Sequence, residues 1–555
     1  MHADAVALHK VLNSNLQMII PIFQRPYSWE KEQVRTLWED ILKLYDNVRI
    51  NTKATHFLGP IVRVGISTSS VDTMKLYLID GQQRIITLMV LLACMRNRFR
   101  GKDDNIVRKV ESGYLLNYEE KEENHYKLIP SEGDRDVFKK IIKGEDLGEG
   151  RNKLKDTFEF FNKRLENSDF DLEKLRGIII NNLILVNIDV DKEENPYLIF
   201  ESLNAKGTSL TQADLIRNYI FMKIGNEDKQ RELYREFWRP MEESLGSALE
   251  TFFWRYSLKD GSFVKIQRTY ANLKSEFETN NEKNAEDELK KLNLYSKYYK
   301  RLIEPKYEPN PDLGKRFNRH NRWEIRTEYP FLLNIYKDYV DSHITHRQFC
   351  EILDIIESFV IRRFFCRYPT NKLNTLFIGL YRNLDKQNII ISLKNILFND
   401  CPNDEQFKEG LINSSVYHSG TEKTFLILET IEESLHHKEP VKMENLQIEH
   451  IMPQSGGDTK KISQDWKNML GDNYESVYSK YLHTLGNLTL TGYNPELGMK
   501  SFDNKKKFLR DSHLELNKYF ENINLWDERE IIKRAEALAK IALNVWRDLK
   551  DATYE

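Results

Sequence analysis

Cysteine is scarce in this chain, and what there is lies scattered. Four cysteines, Cys94, Cys350, Cys366 and Cys401, occur among 555 residues, and none forms a C-x-x-C pair. That distribution argues against a zinc ribbon and against a disulfide scaffold. Isolated thiols suit a reducing compartment, so a cytoplasmic location is expected. Long apolar runs are missing too: none reaches the roughly 18 residues that a transmembrane helix requires, and no membrane partner is expected. The opening MHADAVALHK lacks the apolar core of a signal peptide. There is almost no net charge, since 83 Lys and Arg stand against 85 Asp and Glu. A protein that coats polyanions along its whole length is therefore not expected, and nucleic-acid contact falls to local basic patches. No internal repeat, no low-complexity linker and no Gly-x-x-x-x-Gly-Lys-Ser/Thr phosphate loop is present.

What is there fits a folded, multidomain protein. Apolar residues make up 40% and aromatic residues 11% of a chain too long for one core. The expected class is α+β, divided into an α/β domain over 1–224, a mostly helical connecting region over 225–440 and a C-terminal domain over 441–555. Charged stretches such as EEKEEN (119–124) read as solvated surface. Two basic stretches in the helical region, KRFNRHNRWEIR (315–326) and Arg362, Arg363 and Arg367, have the composition to follow a phosphate backbone. Solvated helix faces or ion pairs are the better reading of both.

The richest stretch runs from Glu449 to Lys507. It opens with IEHIMPQS and closes with LHTLGNLTLTGYNPELGMKSFDNKKKFL. The pattern predicts a β-hairpin followed by a Lys-rich helix, with His450 on the first strand facing a polar residue at the mouth of the helix. Phosphodiester hydrolysis needs a base for water and a cation for the developing charge. His450 titrates in the right range to be that base. Glu449 and Asn494 offer hard oxygens suited to Mg2+ or Mn2+. Strand alternation sends Glu449 and His450 to opposite faces, so a metal between them demands a distorted strand end. The Asn487 side chain is an alternative fastener for the loop that carries His450. Lys500, Lys505, Lys506 and Lys507 are the candidate DNA-phosphate contacts.

A second set lies near the N-terminus. In PIFQRPYSWEKEQVRTLWEDILKLY, Ser28 is the expected cap of a helix that buries Trp29, Val34, Leu37, Trp38 and Ile41. Gln24 and Arg25 precede it. FLGPIV (57–62) and KLYLID (75–80) read as strands, and the second runs through Asp80-Gly81-Gln82-Gln83-Arg84 into the apolar helix IITLMVLLACM. Amides at such a helix start attract an anion, and Arg84 adds a fork of donors. NNLILVNIDV (181–190) reads as a strand. It leads to IFESLNAKGTSLTQADLIRNYIF, where Thr211 and Asp214 have capping-box spacing and Asn204 and Lys206 are further pocket candidates.

These motifs carry a resemblance. E-H-x-x-P, then G-N-L-T-L-T-x-x-N and a Lys-rich helix, resemble an HNH nuclease of the ββα-metal type. I-P-x-F-Q-R-P-Y-x-W and D-G-Q-Q-R resemble the N-terminal domain of GmrSD-like and SspE-like restriction proteins, which is similar to the ParB/sulfiredoxin fold. The resemblance implies His450 as general base, Asn487 as orienting residue, and Asn494 with Glu449 as metal ligands. It implies a pocket for GTP or another nucleoside triphosphate lined by Gln24, Arg25, Asp80, Gly81, Gln82, Gln83, Arg84 and Asn204. The implied activity is NTP- and metal-dependent cleavage of phage or modified DNA by an enzyme that self-association would suit. Two other readings stay open: a nucleotide-operated DNA-binding switch with an inactive HNH unit, and a ribonuclease toxin.

Overall fold

The computed structural model describes residues 2–12, 16–66, 73–166, 171–190, 210–224, 226–279, 284–417, 421–435, 443, 445–454 and 462–550. Asn204 and Lys206 lie outside them, as does the side chain of Asn494. The chain divides into two compact units, Met1–Glu250 with Gln267–Asn293, and Thr251–Ile266 with Leu294–Glu555.

The first unit is built on a mixed sheet of β1 (His2–Ala7), β2 (Leu16–Ile19), β3 (His56–Gly65), β4 (Met74–Asp80), β5 (Leu128–Ile129) and β6 (Leu183–Val190). Their order is β1-β6-β3-β4-β2-β5. The pairs β1/β6 and β3/β4 are antiparallel, and β6/β3, β4/β2 and β2/β5 are parallel. The β3/β6 register shifts between Phe57 and Gly59. The shift leaves Leu58 without a partner in that ladder, while Pro60 stands opposite Val186.

The helix after β4, Gln82–Phe99, is buried on nearly every side, from Gln82 and Gln83 through Met95, Arg96 and Phe99. A helix that is apolar all round belongs inside a core. This one joins the main cluster with Trp38, Ile41, Phe138 and Phe161. The opposite face carries a smaller cluster of Val62, Val64, Ile79, Ile188 and Val190, against which Met222 packs.

One local expectation changes. The helix that buries Trp38 spans Lys31–Ile50 and is capped by Glu30, whose backbone N–H donates to Gln33 Oε1 at 2.9 Å. Ser28 does not cap it, because the helix starts at Lys31 and Ser28 lies two residues before the Glu30 cap, where its N–H donates to Gln83 Oε1 at 2.8 Å. By contrast, Thr211 and Asp214 do form a capping box on the helix Gln212–Lys223.

The second unit is largely helical and holds one strand pair, β7 (Gln447–His450) and β8 (Leu488–Thr491), among its described residues. The pair is antiparallel with His450 opposite Leu488. It is not a tight hairpin: helices Gln464–Leu470 and Tyr474–Tyr481 lie in the connection. A two-residue turn therefore does not set the register. The helix Phe502–Arg510 follows, and Glu528–Val545 packs on the turn Leu485–Asn487. That close approach explains Gly486, where an added Cβ would stand 2.3 Å from the Ile531 carbonyl oxygen.

The basic stretches of this unit are neutralised internally. Arg316 forks onto Asp354 at 2.8 and 2.9 Å, and Arg322 reaches Glu422 and Glu429 at 2.8 and 2.6 Å. Buried Arg362 pairs with Asp404 at 2.6 Å, and Arg363 donates to the carbonyls of Asp400 and Pro369. Arg316, Arg322 and Arg362 are thus taken up by ion pairs and Arg363 by backbone carbonyls.

Candidate functional site

The fold brings together the two N-terminal motifs. β4 ends at Asp80, and Gly81 turns the chain into the helix Gln82–Phe99 with φ +87°. A side chain is barred there twice over, by that left-handed backbone and by Ile61 Cγ2 at 2.5 Å from an added Cβ. Gly59 has φ +99°, and its added Cβ would lie 2.4 Å from Arg84 Nη1. The bare backbone of β3 thus makes room for Arg84, which donates to the Leu58 carbonyl at 2.8 Å.

Around this turn the carboxamides interlock. Gln82 Nε2 donates to Gln24 Oε1 at 3.3 Å, and Gln83 holds Ser28 N–H and the Pro26 carbonyl. Tyr27 is fixed by its N–H to Asp134 at 2.6 Å and by its hydroxyl to Thr87 at 2.7 Å. Nothing in the sequence had marked Asp134. Gln24 is only 2% exposed, yet its Nε2 has no acceptor among the described residues, and neither does the buried Nε of Arg25. Buried donors of that kind ordinarily have a partner.

Asp80 and Arg84 form a loose pair, 3.7 Å apart. Burial pushes the Asp80 carboxyl up, against the pull of Arg84, the Gly81 N–H and Arg25. Burial likewise lowers Arg84, against Asp80. Both shifts favour the neutral forms, so desolvation outweighs an attraction that 3.7 Å leaves weak. An anion set against Arg84 would favour its charged form. The chemistry of this donor set fits an anion such as a phosphate group.

The C-terminal motifs also converge, with different roles from those expected. His450 Nε2 lies 3.1 Å from His483 Nδ1. The Tyr417 ring stacks on His483 at 5.4 Å and 10°, and meets His450 edge-on at 4.6 Å and 76°. Asn487 is fully buried. Its Oδ1 accepts from Met452 N–H at 2.8 Å and Trp526 Nε1 at 3.1 Å, and its Nδ2 donates to the carbonyls of Met452 and Leu482. Asn487 therefore fastens the loop after His450 to the start of β8. Arg534, entirely buried, brackets it by donating to the carbonyls of Gly486 and Leu488, and burial pushes its guanidinium down to about 9.

Glu449 and Lys505 need correction. Lys505 is fully buried, so it does not face DNA. Its ammonium donates to Glu449 Oε1 at 2.5 Å and to the His450 carbonyl at 2.6 Å. Glu449 points away from His450, as strand alternation requires, and its carboxylate is taken by this ammonium. It does not fit a metal-ligand role. Among the described residues no group of three His, Cys, Asp or Glu could hold a metal ion. Asn494 begins the short helix Asn494–Leu497. Lys500 and Lys507 are exposed, whereas Lys506 is half-buried and donates to the Ile523 carbonyl at 2.8 Å.

His483 and Tyr417 were missed by sequence reasoning. His483 stands four residues before Asn487, inside the quoted stretch, but a lone histidine has no meaning until its neighbour is known. Tyr417 lies far upstream and gave no signal.

Comparison with known families adds two findings. The N-terminal domain of GmrSD restriction endonuclease matches residues 8–221, and the C-terminal domain of GmrSD restriction endonucleases matches residues 401–541. No curated protein matches the chain. No helix among the described residues is long and apolar enough to cross a membrane.

Proposed function

The chain belongs to the GmrSD restriction endonuclease family, and from that premise we propose an NTP- and metal-dependent DNA endonuclease that senses foreign or modified DNA. Family membership makes it a nuclease of restriction-type defence, with DNA as its substrate. The finer reading assigns His450 as general base, in a C-terminal unit of HNH type, and a nucleoside triphosphate to the Gln24–Arg84 cluster.

The observation that carries the nucleotide reading is the pair of buried donors, Gln24 Nε2 and Arg25 Nε, beside a Gly81 turn that no side chain could occupy. Gln24, Arg25 and Arg84 would hold phosphate oxygens, and the amides opening the helix Gln82–Phe99 would add to them. A bound triphosphate would supply negative charge to this cluster, and its hydrolysis would change that charge. Asp80 would orient Arg84, and Gly81 would let backbone approach the ligand. Mg2+ or Mn2+ rests on the family likeness, with Asn494 as the residue proposed for it. Glu449 is withdrawn from that role.

In the second unit, His450 would take a proton from water, while Asn487 holds the loop that positions the imidazole. The two activities in one chain suggest control, in which nucleotide state alters DNA cleavage. Such control requires different nucleotide affinity for two conformations. A coupling of about 1–3 kcal/mol would shift DNA affinity about 5- to 150-fold.

The test is digestion of modified and unmodified phage DNA with each of the four NTPs, by wild type, Arg84→Ala and His450→Ala. The expected result is nicking that His450→Ala abolishes, and NTP dependence that Arg84→Ala abolishes. Equal nicking with and without NTP, together with normal restriction by Arg84→Ala, would remove the nucleotide from the reading. Cleavage of RNA in place of DNA would favour the ribonuclease alternative.

A further inference from the structure

The Tyr417–His483–His450 cluster contains more than a base. Two imidazoles 3.1 Å apart, Nε2 to Nδ1, need one N–H and one lone pair between them. A neutral imidazole has one of each, so the choice for one ring dictates the choice for the other. If His483 Nδ1 is the acceptor, His450 carries its proton on Nε2, and its basic nitrogen is Nδ1. If His483 Nδ1 is the donor, His450 is protonated on Nδ1 and its only lone pair lies in the bond to His483.

We propose that His483 is a positioning residue that accepts from His450 Nε2–H and so makes His450 Nδ1 the proton acceptor for the attacking water. The proposal rests on the reading of His450 as the general base. His483 is well placed for the task. Its ring lies flat on Tyr417, 10° from parallel, and its carbonyl oxygen accepts from Val416 N–H at 3.0 Å. The ring is therefore held from its face and through its backbone, while Tyr417 also braces His450 edge-on. A base oriented by a second polar group is a recurring device, and the orienting group works by fixing tautomer and direction.

The step balances. A water O–H bond breaks, its proton forms a bond to His450 Nδ1, and the electron pair stays on oxygen, which attacks phosphorus. The scissile P–O bond breaks, its pair remains on the leaving oxygen, and that oxygen is protonated from solvent. The resulting imidazolium keeps its Nε2–H bonded to His483 Nδ1, and loss of the Nδ1 proton to solvent returns the ring to the same neutral tautomer.

Two variants separate hydrogen bonding from packing. His483→Asn keeps an acceptor where Nδ1 stood and loses the ring. His483→Phe keeps a ring to stack on Tyr417 and loses the acceptor. Plasmid nicking should show kcat for His483→Phe reduced by up to about 10⁴-fold, the loss seen when a catalytic histidine is held in the wrong tautomer, with KM unchanged. His483→Asn should lose much less, because it keeps the acceptor. The reverse order, with Phe active and Asn impaired, would assign His483 to packing and overturn the proposal. Selective 15N labelling of histidine in the wild-type protein gives a readout independent of whether either variant folds. A neutral His450 protonated on Nε2 is expected, and one protonated on Nδ1 overturns the proposal. His450→Ala serves as the reference: if it still cleaves, the reading of His450 as base has failed. If it is inactive while His483→Phe matches wild type, only the positioning role has failed.

Discussion

Two buried carboxamides, Gln24 in the first unit and Asn487 in the second, use the same chemistry in opposite ways. Asn487 accepts from two donors and donates to two carbonyls, all within the fold. Gln24 accepts from Gln82 at 3.3 Å, and its Nε2 donates to none of the described residues. A fully satisfied buried amide fastens structure. One with an unused donor, beside Arg25 and Arg84, has its bonding capacity to offer a ligand. The same contrast separates the cations. Lys505 is spent on Glu449 and the His450 carbonyl, whereas Arg84 holds its counter-ion loosely at 3.7 Å. In the C-terminal unit the buried amide and ammonium are both used on the frame around His450, whereas the N-terminal unit keeps buried donors without an acceptor among the described residues.

The largest expected effect tests the held histidine. His450→Ala should lower nicking by about 10²- to 10⁴-fold, the usual cost of losing a general base. Because His450 packs against Tyr417 and His483, the melting temperature is measured alongside. A variant that melts normally and still nicks would remove His450 from the chemistry.

Next comes the buried ion pair. Lys505→Met strands the Glu449 carboxylate, and breaking a buried pair from one side typically costs about 3–5 kcal/mol. Replacing both partners, as Glu449→Gln with Lys505→Met, should cost much less. Burial already pushes the Glu449 carboxyl up, and Lys505 opposes that rise. Without the lysine the rise is larger, so the folded state binds a proton more readily than the unfolded chain. A raised carboxyl contributes stability below its unfolded value, and loses it as pH climbs through the folded one. Lys505→Met should therefore be more stable at pH 5 than at pH 8, by chemical denaturation. A flat profile would mean that Glu449 finds another partner.

The carboxamides themselves come third. Asn487→Ala leaves the Met452 and Leu482 groups and Trp526 Nε1 without their bonds. With about 1–3 kcal/mol for each buried group left unsatisfied, a loss of about 3 kcal/mol or more is expected. Gln24→Ala leaves one buried donor, Gln82 Nε2, without its acceptor, so its cost should be about 1–3 kcal/mol, below that of Asn487→Ala. It should also reduce nucleotide affinity about tenfold, the equivalent of one hydrogen bond to a charged group. Equal destabilisation by both substitutions, with nucleotide binding intact, would erase the distinction between the two units.

The difference in roles explains what the sequence could show. Periodicity and turn residues were enough for β4, the Gly81 turn and the buried helix after it, because each follows from neighbours in the chain. The Thr211 capping box was legible for the same reason. The Glu30 cap was not: Ser28 looked better locally, but the helix starts only at Lys31, with Glu30 and Gln33 forming the capping box. Asn487 was open to two readings, and the choice depended on distant partners such as Trp526. Lys505 looked like its neighbours Lys506 and Lys507. Only the packing of the helix Phe502–Arg510 turns one of the three inward, onto Glu449. His483 and Tyr417 meet only in three dimensions.

The smallest effect separates those lysines. Removing one lysine that neutralises a phosphate should flatten the dependence of log K on log salt by about 0.9 for duplex DNA. Lys500 and Lys507 are exposed, so Lys500→Ala and Lys507→Ala should each remove up to about that much. Lys506 donates to the Ile523 carbonyl, and its substitution should remove less. Lys505 is fully buried, so its ammonium releases no counterion from DNA. In the double replacement with Glu449→Gln, which retains the fold best, the slope should match that of wild type. Fluorescence anisotropy with a labelled duplex, from low to moderate salt and in a His450→Ala background to prevent cleavage, measures all four. If the buried lysine changes the slope as much as Lys507 does, Lys505 must leave Glu449 when DNA binds. The C-terminal unit would then contain a switch in place of a fixed scaffold. If no lysine changes it, DNA is bound elsewhere, and the helix Phe502–Arg510 only supports His450 through its carbonyl.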